Sequence, residues 1–378
     1  MISKLPDTGT SIFTVMSAMA NEYGAINLSQ GFPDFTIDTH LENAVLNALK
    51  AGHVQYAPMA GRLDLREQIS NLIFQRYNLS VHPDSEITIT AGATQAIFTA
   101  IATLVNPGDE VIMFDPAYDC YDPSVKVFGG IPVHLKLNHP NYSINWDEVE
   151  KKVTDKTRII ITNNPHNPCG SVWTEDDLYR LEKIVSRYKN LYVISDEVYE
   201  YIQFNKQHHT VLKNELLRSR SFFVYSFGKT LHVTGWKLGY CIAPPALTAE
   251  FRKVHQFNVF CVNNTIQAGI ADYLAKHMNA ASIADFYQKK RDLFLHAISN
   301  SKFKPLACHG TYFCLLDYSS ISNQSDVDFA KQLIQEIGVA SIPVSVFYKD
   351  QTDHHVLRFC FAKKDETLSN ASEKLCSL

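Results

Sequence analysis

The chain of 378 residues has no lysine- or arginine-rich block, no Cys-x-x-Cys pair and no uncharged run long enough to cross a bilayer. Each absence removes a class of function. With no basic stretch, a formal net charge of -4 and a pI near 6.4, the chain lacks the electrostatic footprint of a phosphate-backbone binder, so no nucleic-acid partner is expected. Its 8 cysteines are scattered, so neither a zinc knuckle nor a redox dithiol is indicated, and no metal ligand is assigned. Scattered thiols and the lack of a recognisable secretory signal lead us to expect a cytoplasmic protein with no membrane partner. Fixed-period repeats and low-complexity linkers are also missing. What remains is an ordinary globular composition, 46% hydrophobic and 20% charged, in a chain long enough for one large or two unequal domains.

Periodicity supplies the architecture. Residues 12 to 22, 38 to 50 and 63 to 77 read as helices. Leu41, Val45, Leu46 and Leu49 form the apolar side of the second, and Leu63, Ile69, Leu72 and Ile73 that of the third. From Glu86 the period changes to short, nearly continuous apolar runs: Ile87 to Thr90, Val111 to Phe114, Gly130 to Leu137, Arg158 to Thr162, Leu191 to Ser195, Phe222 to Tyr225 and Leu238 to Ala243. Runs of this kind are buried between helical layers, which predicts an α/β fold. A long periodic segment over 283 to 298, with Phe286, Leu293, Phe294 and Ala297 on one side, leads to further strands at 311 to 316 and 356 to 361 and helices at 327 to 337 and 366 to 375.

Lys229 lies in the run from Ser226 to Gly239, rich in hydroxyls and glycine, that joins two of these strands. Strand ends are the common place for an active-site loop, and a lysine there can serve as an imine-forming nucleophile, although most lysines are plain surface residues. Upstream stand Asn167 and the run Asp196-Glu197-Val198-Tyr199, again beside strand ends. Singly, these are an asparagine in a turn, an aspartate capping a helix and a tyrosine at a core edge. The sequence Ala91-Gly92-Ala93-Thr94-Gln95 follows another strand, with a helix expected from Ala96 to Leu104. Its unpaired N–H groups suit a phosphate or simply a tight turn. His166 adjoins Asn167 but is read, like His232 and His255, as a hydrogen-bonded structural histidine.

The Asn-Pro pair, the Ser-Asp-Glu-Val-Tyr run and the lysine segment recur in this order in fold-type I, pyridoxal-phosphate-dependent aminotransferases of class I/II, which this chain resembles over nearly its whole length. Leu28-Ser-Gln-Gly-Phe-Pro-Asp-Phe35, Tyr56-Ala-Pro-Met59 and Val356-Leu-Arg-Phe-Cys-Phe361 are most similar to the methionine and kynurenine/glutamine (aromatic) branch. The resemblance implies a large domain over 35–285 with a mostly parallel seven-stranded sheet between helices. A discontinuous small α+β domain, from 1–34 and 286–378, would complete it. It also implies pyridoxal 5′-phosphate as cofactor, passing through pyridoxamine 5′-phosphate in the second half-reaction.

Residue by residue, the resemblance makes Lys229 the Schiff-base lysine and the carrier of the substrate α-proton, Asp196 the partner of the pyridine nitrogen, and Asn167 and Tyr199 the partners of the ring oxygen. It places Tyr118 over the ring, and Ala93, Thr94, Ser226 and Lys237 at the phosphate. Lys237 stands where arginine is common elsewhere in class I, which keeps the charge but loses the planar fork. Tyr56 is expected to reach the phosphate of a neighbouring subunit, which implies a homodimer.

Arg358 matches the clamp for the substrate α-carboxylate, with the backbone at Gly31 closing over it. Phe13, Phe32 and Phe260 border the side-chain pocket, Phe260 supplied across the interface, and Cys261 follows it where kynurenine-type relatives can carry histidine. The implied reaction moves the amino group of methionine, an aromatic or a similar apolar amino acid to a 2-oxo acid. Two other readings stay open: a cysteine-conjugate or cystathionine C–S β-lyase using the same cofactor, and a non-catalytic ligand-binding or regulatory derivative.

Overall fold

The computed structural model describes residues 2–6, 8–204 and 207–378. Seven strands form the main sheet: β1 Ile87–Thr90, β2 Glu110–Asp115, β3 Ile131–Lys136, β4 Thr157–Asn163, β5 Tyr192–Asp196, β6 Ser221–Ser226 and β7 Gly239–Ile242. Their spatial order is β1-β7-β6-β5-β4-β2-β3. All neighbours are parallel except β7, which runs antiparallel to both β1 and β6. Every residue of β1 and β7 is buried, as are all but one in β2, β4, β5 and β6. The strands therefore alternate between two apolar layers, which explains why they read as continuous runs in the sequence. The fold is the expected α/β arrangement of a mostly parallel seven-stranded sheet.

A second sheet is built from β8 Lys304–Pro305, β9 Phe313–Asp317, β10 Ile342–Pro343 and β11 Val356–Cys360, in the order β10-β11-β9-β8 and antiparallel throughout. Its core gathers Met16, Ala20 and Leu28 from the start of the chain, the aromatic cluster of Tyr287, Phe294, Tyr312 and Phe359, and Tyr199 and Tyr201 from the end of β5. Ile26–Asn27 pairs in parallel with Val339–Ala340, stitching the first residues to the last third of the chain. The termini of the second sheet's core thus meet the carboxyl ends of the main strands, where a site can form.

Several elements depart from their expected faces. In the helix Thr39–Lys50 the buried side is Leu41, Ala44 and Ala48, whereas Leu46 and Leu49 are exposed. The helix Asn264–Lys276 packs closely against it at Gly269, where a Cβ would lie 2.5 Å from Val45 Cγ2. In Leu63–Tyr77 the inner row is Leu65, Ile69, Ile73 and Tyr77, with Arg66 buried beside it. Leu63 is six residues before Ile69 and about a third of a turn off that row, and it is exposed.

The helix after β1 begins at Ala93, not Ala96. The segment Asp326–Gln332 continues as a π-helical turn over Leu333–Ile337 that ends at Gly338 with φ 76°. In Ala280–Ala297 the fully buried positions are Ile283, Tyr287 and Phe294; Phe286 and Leu293 pack at the edge of the core, and Ala297 is half-buried. No helix among the described residues is long and apolar enough to cross a membrane.

Candidate active site

A cavity of about 300 Å³ opens where the carboxyl ends of β4, β5 and β6 meet the second sheet. It is lined by Lys229, Asp196, Tyr199, Asn167, Tyr118, Ala93, Thr94, Ser226, Lys237, Gly31, Phe13, Phe32 and Arg358. The structure therefore brings together every candidate residue of the sequence except two. Tyr56 and Phe260 lie outside this cavity, 80% and 55% exposed, with their rings edge to face at 5.2 Å.

Strand β1 ends in a turn at Gly92, whose φ of +83° favours glycine, and the helix from Ala93 starts there without a side-chain cap. Its first N–H groups are left to whatever lies in front of them. A Cβ at Gly239 would sit 2.5 Å from Tyr225 O and 3.1 Å from Ala93 N, so only glycine lets β7 pass behind this turn. Lys237 adopts the left-handed conformation at φ 52°, and its Nζ lies 3.5 Å from where a Cβ of Gly92 would stand. A helix N-terminus and an ammonium thus converge on one corner of the cavity.

Asp196 closes β5 and is 4% exposed. Burial raises its pKa to about 6, against the opposing pull of the Tyr121 hydroxyl, which donates to Oδ2 at 2.6 Å. Asn163, at the end of β4, donates from Nδ2 to the main-chain oxygen of Asp196 and accepts at Oδ1 from the N–H of Asn167. The asparagine side chain therefore sets the turn that carries Asn167.

Lys229 lies in the short helical turn Phe227–Thr230 directly after β6, rather than in an extended connection. Its Nζ donates to Tyr312 Oη at 2.8 Å and lies 5.7 Å from the centre of the Tyr199 ring. Burial lowers its pKa to about 8. A lysine so placed has a usable fraction of free amine near neutral pH.

On the opposite wall Arg358, on β11, is 1% exposed. Its Nη1 donates to Asn167 Oδ1 at 2.9 Å and its Nη2 to Ser29 O at 2.8 Å, while its Nε has no partner. The guanidinium lies over the Phe313 ring at 3.9 Å and beside Phe13 at 5.1 Å and Phe347 at 5.7 Å. Burial lowers its pKa, yet arginine remains a cation. Gly31 presses against these rings: a Cβ would lie 2.6 Å from Phe313 Cζ. Lys363 holds the next residue by donating to Phe32 O at 2.8 Å.

Residues 23–375 match the model of the aminotransferase class I and II family. The chain belongs to that family. This aminotransferase is 47% identical over 378 residues to a methionine aminotransferase of Escherichia coli strain K12, an alignment covering 100% of this chain and 98% of that protein. It is 32% identical to a kynurenine–oxoglutarate transaminase of Dictyostelium discoideum, covering 98% of this chain and 94% of that one. Among solved structures, the E. coli protein described as having a methionine aminotransferase function superposes with a TM-score of 0.97 at 46% identity, covering 100% of this chain and 99% of that one. The N-succinyldiaminopimelate aminotransferase of Mycobacterium tuberculosis does so at 0.95 and 32%, with the same coverage.

In this aminotransferase, four groups at the site were missed by the sequence reading: Tyr121, Asn163, Tyr312 and Phe347. Tyr121 and Tyr312 are remote in the chain from Asp196 and Lys229, whereas Asn163 had a local signal, the Asn-Asn-Pro start of the turn that holds Asn167. Of the histidines, His232 Nδ1 meets Tyr287 Oη at 2.7 Å and His255 Nδ1 meets Gln95 at 3.3 Å. His166 differs from expectation. It is buried, its Nδ1 has no hydrogen-bond partner, and burial holds its pKa down to about 3, so it is neutral and poorly placed for acid–base work.

Proposed function

We propose that the chain is a homodimeric, pyridoxal-phosphate-dependent aminotransferase that takes methionine, aromatic or similar apolar amino acids as donors and a 2-oxo acid as acceptor. One observation carries this reading: Arg358 hydrogen-bonds Asn167 at 2.9 Å across the same cavity that holds Lys229 and Asp196, so the carboxylate clamp faces the cofactor residues within one site.

The cavity suits an aromatic aldehyde phosphate on grounds internal to the chain. The bare helix start at Ala93 and Thr94, with Ser226 and Lys237, offers donors to a phosphate. Asp196 is buried away from water with a raised pKa, a position that a protonated ring nitrogen would stabilise. Lys229 has its amine within the same space and partly free of its proton. When bound, the cofactor supplies an aldehyde for amine exchange and a ring that accepts the electron pair left by loss of the α-proton.

The protein's own residues then divide the work. Arg358 receives the α-carboxylate, its Nη groups already oriented by Asn167 and Ser29, and so fixes the direction of the Cα–H bond. Lys229 Nζ takes the α-proton and returns it in the reverse direction. Tyr199 and Asn167 stand ready to hold the ring oxygen, and Tyr118 to cover the ring face. Phe13, Phe313 and Phe347 surround Arg358 with apolar surface, and Phe32 lines the same cavity. Among the described residues of this chain, the cations lining the cavity are Lys229, Lys237 and Arg358, each with a role, and none of these is left for a side-chain carboxylate. This favours apolar donors over aspartate, in keeping with the identity to the E. coli methionine aminotransferase. Tyr56 and Phe260, paired and exposed, are the residues proposed to cross into a partner's site.

The test is a matrix of amino acids against 2-oxo acids with the cofactor-loaded protein, both products measured. Methionine and the aromatic amino acids lead if the reading holds; activity with aspartate alone overturns the substrate assignment. Ammonia and pyruvate released without an amino product assign a C–S β-lyase instead. Borohydride reduction should fix the cofactor to the peptide containing Lys229, and Lys229→Ala should lose both this attachment and multiple turnover.

A further inference from the structure

The partner of the Lys229 amine is a phenol rather than a carboxylate, and that phenol is itself committed. Tyr312 Oη accepts from Lys229 Nζ at 2.8 Å and donates to the carbonyl of Gly31 at 2.6 Å. With its proton aimed at Gly31, the hydroxyl presents a lone pair to Lys229 and can only receive an N–H from it. Tyr312 is 0% exposed, and burial pushes its pKa well above the ordinary phenol value, so it stays protonated and does not compete for the substrate proton.

Its position is fixed from several sides. The ring stands edge-on to Tyr199 at 5.2 Å and lies 5.7 Å from Tyr287. Gly31 is drawn so close that a Cβ would lie 3.0 Å from Tyr312 Cε2. The stretch it grips is held elsewhere by β11: Cys360 N–H donates to Leu28 O at 2.8 Å, and Arg358 Nη2 donates to Ser29 O at 2.8 Å. The strand that carries the carboxylate clamp and the hydroxyl that receives the amine therefore grip the same four residues.

We propose that Tyr312 is a positioning residue that holds the free Lys229 amine against residues 28–31, tying the group that carries the substrate proton to the segment beside the substrate carboxylate. The proposal rests on the aminotransferase reading for its role in turnover, but not for the contact itself. An acceptor facing the amine favours its charged form over the neutral one, so removing the hydroxyl lowers the amine's proton affinity. It also frees the amine to rotate away from the reacting carbon, which slows proton transfer more than it weakens substrate binding.

The experiment uses Tyr312→Phe, which keeps the ring. In the cofactor-free protein, acetic anhydride labelling of the Lys229 peptide across pH reads the amine directly. We expect its midpoint to move down by about half a pH unit or more. A fluorinated tyrosine at position 312, which keeps shape and hydroxyl but weakens the acceptor, moves it the same way and covers the case in which the phenylalanine variant does not fold. In the loaded enzyme, the half-reaction with an α-deuterated amino acid should slow about tenfold with a larger isotope effect, while KM changes less than about twofold. An unchanged labelling midpoint in both variants overturns the proposal, as does a loss confined to KM. If the unsubstituted protein takes up no cofactor at Lys229, the functional reading fails, whereas the labelling midpoint still decides the contact.

Discussion

Tyr121 donates its hydroxyl proton to Asp196 Oδ2 at 2.6 Å, and both groups are buried. The bond favours the charged carboxylate, but burial outweighs it and leaves the pKa at about 6, above the ordinary 3.8. Such a carboxyl binds more protons folded than unfolded across that window, so its contribution to stability falls as pH rises from about 4 to about 6. Above that, in cofactor-free protein, its charge costs on the order of 3 kcal/mol. We predict that Asp196→Asn raises the Tm of cofactor-free protein at pH 8 and changes it little at pH 4, while abolishing turnover. A lower Tm at pH 8 would show that the bond from Tyr121 outweighs the cost of burying the Asp196 charge.

Lys229 titrates near 8 through burial. At pH 7 about a tenth of the molecules then hold a free amine, against well under a thousandth for an ordinary lysine. The rate at which cofactor-free protein takes up pyridoxal phosphate should rise about tenfold per pH unit below 8 and level off above it. Stopped-flow absorbance at fixed cofactor concentration reads this directly, and a rate still climbing at pH 10 would contradict the assignment.

Replacing Arg358 by lysine keeps a positive charge and loses the fork that meets Asn167 and Ser29 together. The expected result is a KM for the amino acid raised about 10- to 100-fold, with cofactor uptake unchanged. The asparagine variant Asn167→Ala should disturb both, because Asn167 touches Arg358 with its side chain and Asn163 with its backbone.

Lys237→Ala removes the ammonium beside Gly92 and should weaken the affinity for pyridoxal phosphate about tenfold or more, measured by equilibrium dialysis. Tyr56→Ala tests the second chain. Tyr56 is 80% exposed and outside its own cavity, so a fall in cofactor affinity without a fall in monomer stability points to delivery across an interface. Unchanged affinity in a dimeric protein would remove Tyr56 from the site.

The apolar runs of the main sheet, the helix over 12 to 22 and the motifs around Lys229, Asp196 and Asn167 were all legible in the amino-acid order. Each is a local property: a strand buried on both faces must be apolar at every position, and a turn that displays a functional group must carry its own glycine, proline or hydroxyl residues. The faces of the two helices at 39–50 and 63–77 were not, because which side is buried depends on what packs there. Ala44 and Ala48 go inward and Leu46 outward against a helix more than two hundred residues away, whose Gly269 meets Val45. The same holds at the site. Sequence alone determined the chemistry available, an amine and a carboxylate at strand ends and a guanidinium on a strand. Tertiary structure alone decided their condition, since burial sets the pKa values of Lys229 and Asp196 and distant chain segments supply Tyr121 and Tyr312 as partners. Desolvation and hydrogen bonding are properties of the assembled surroundings, and no local run of residues encodes them.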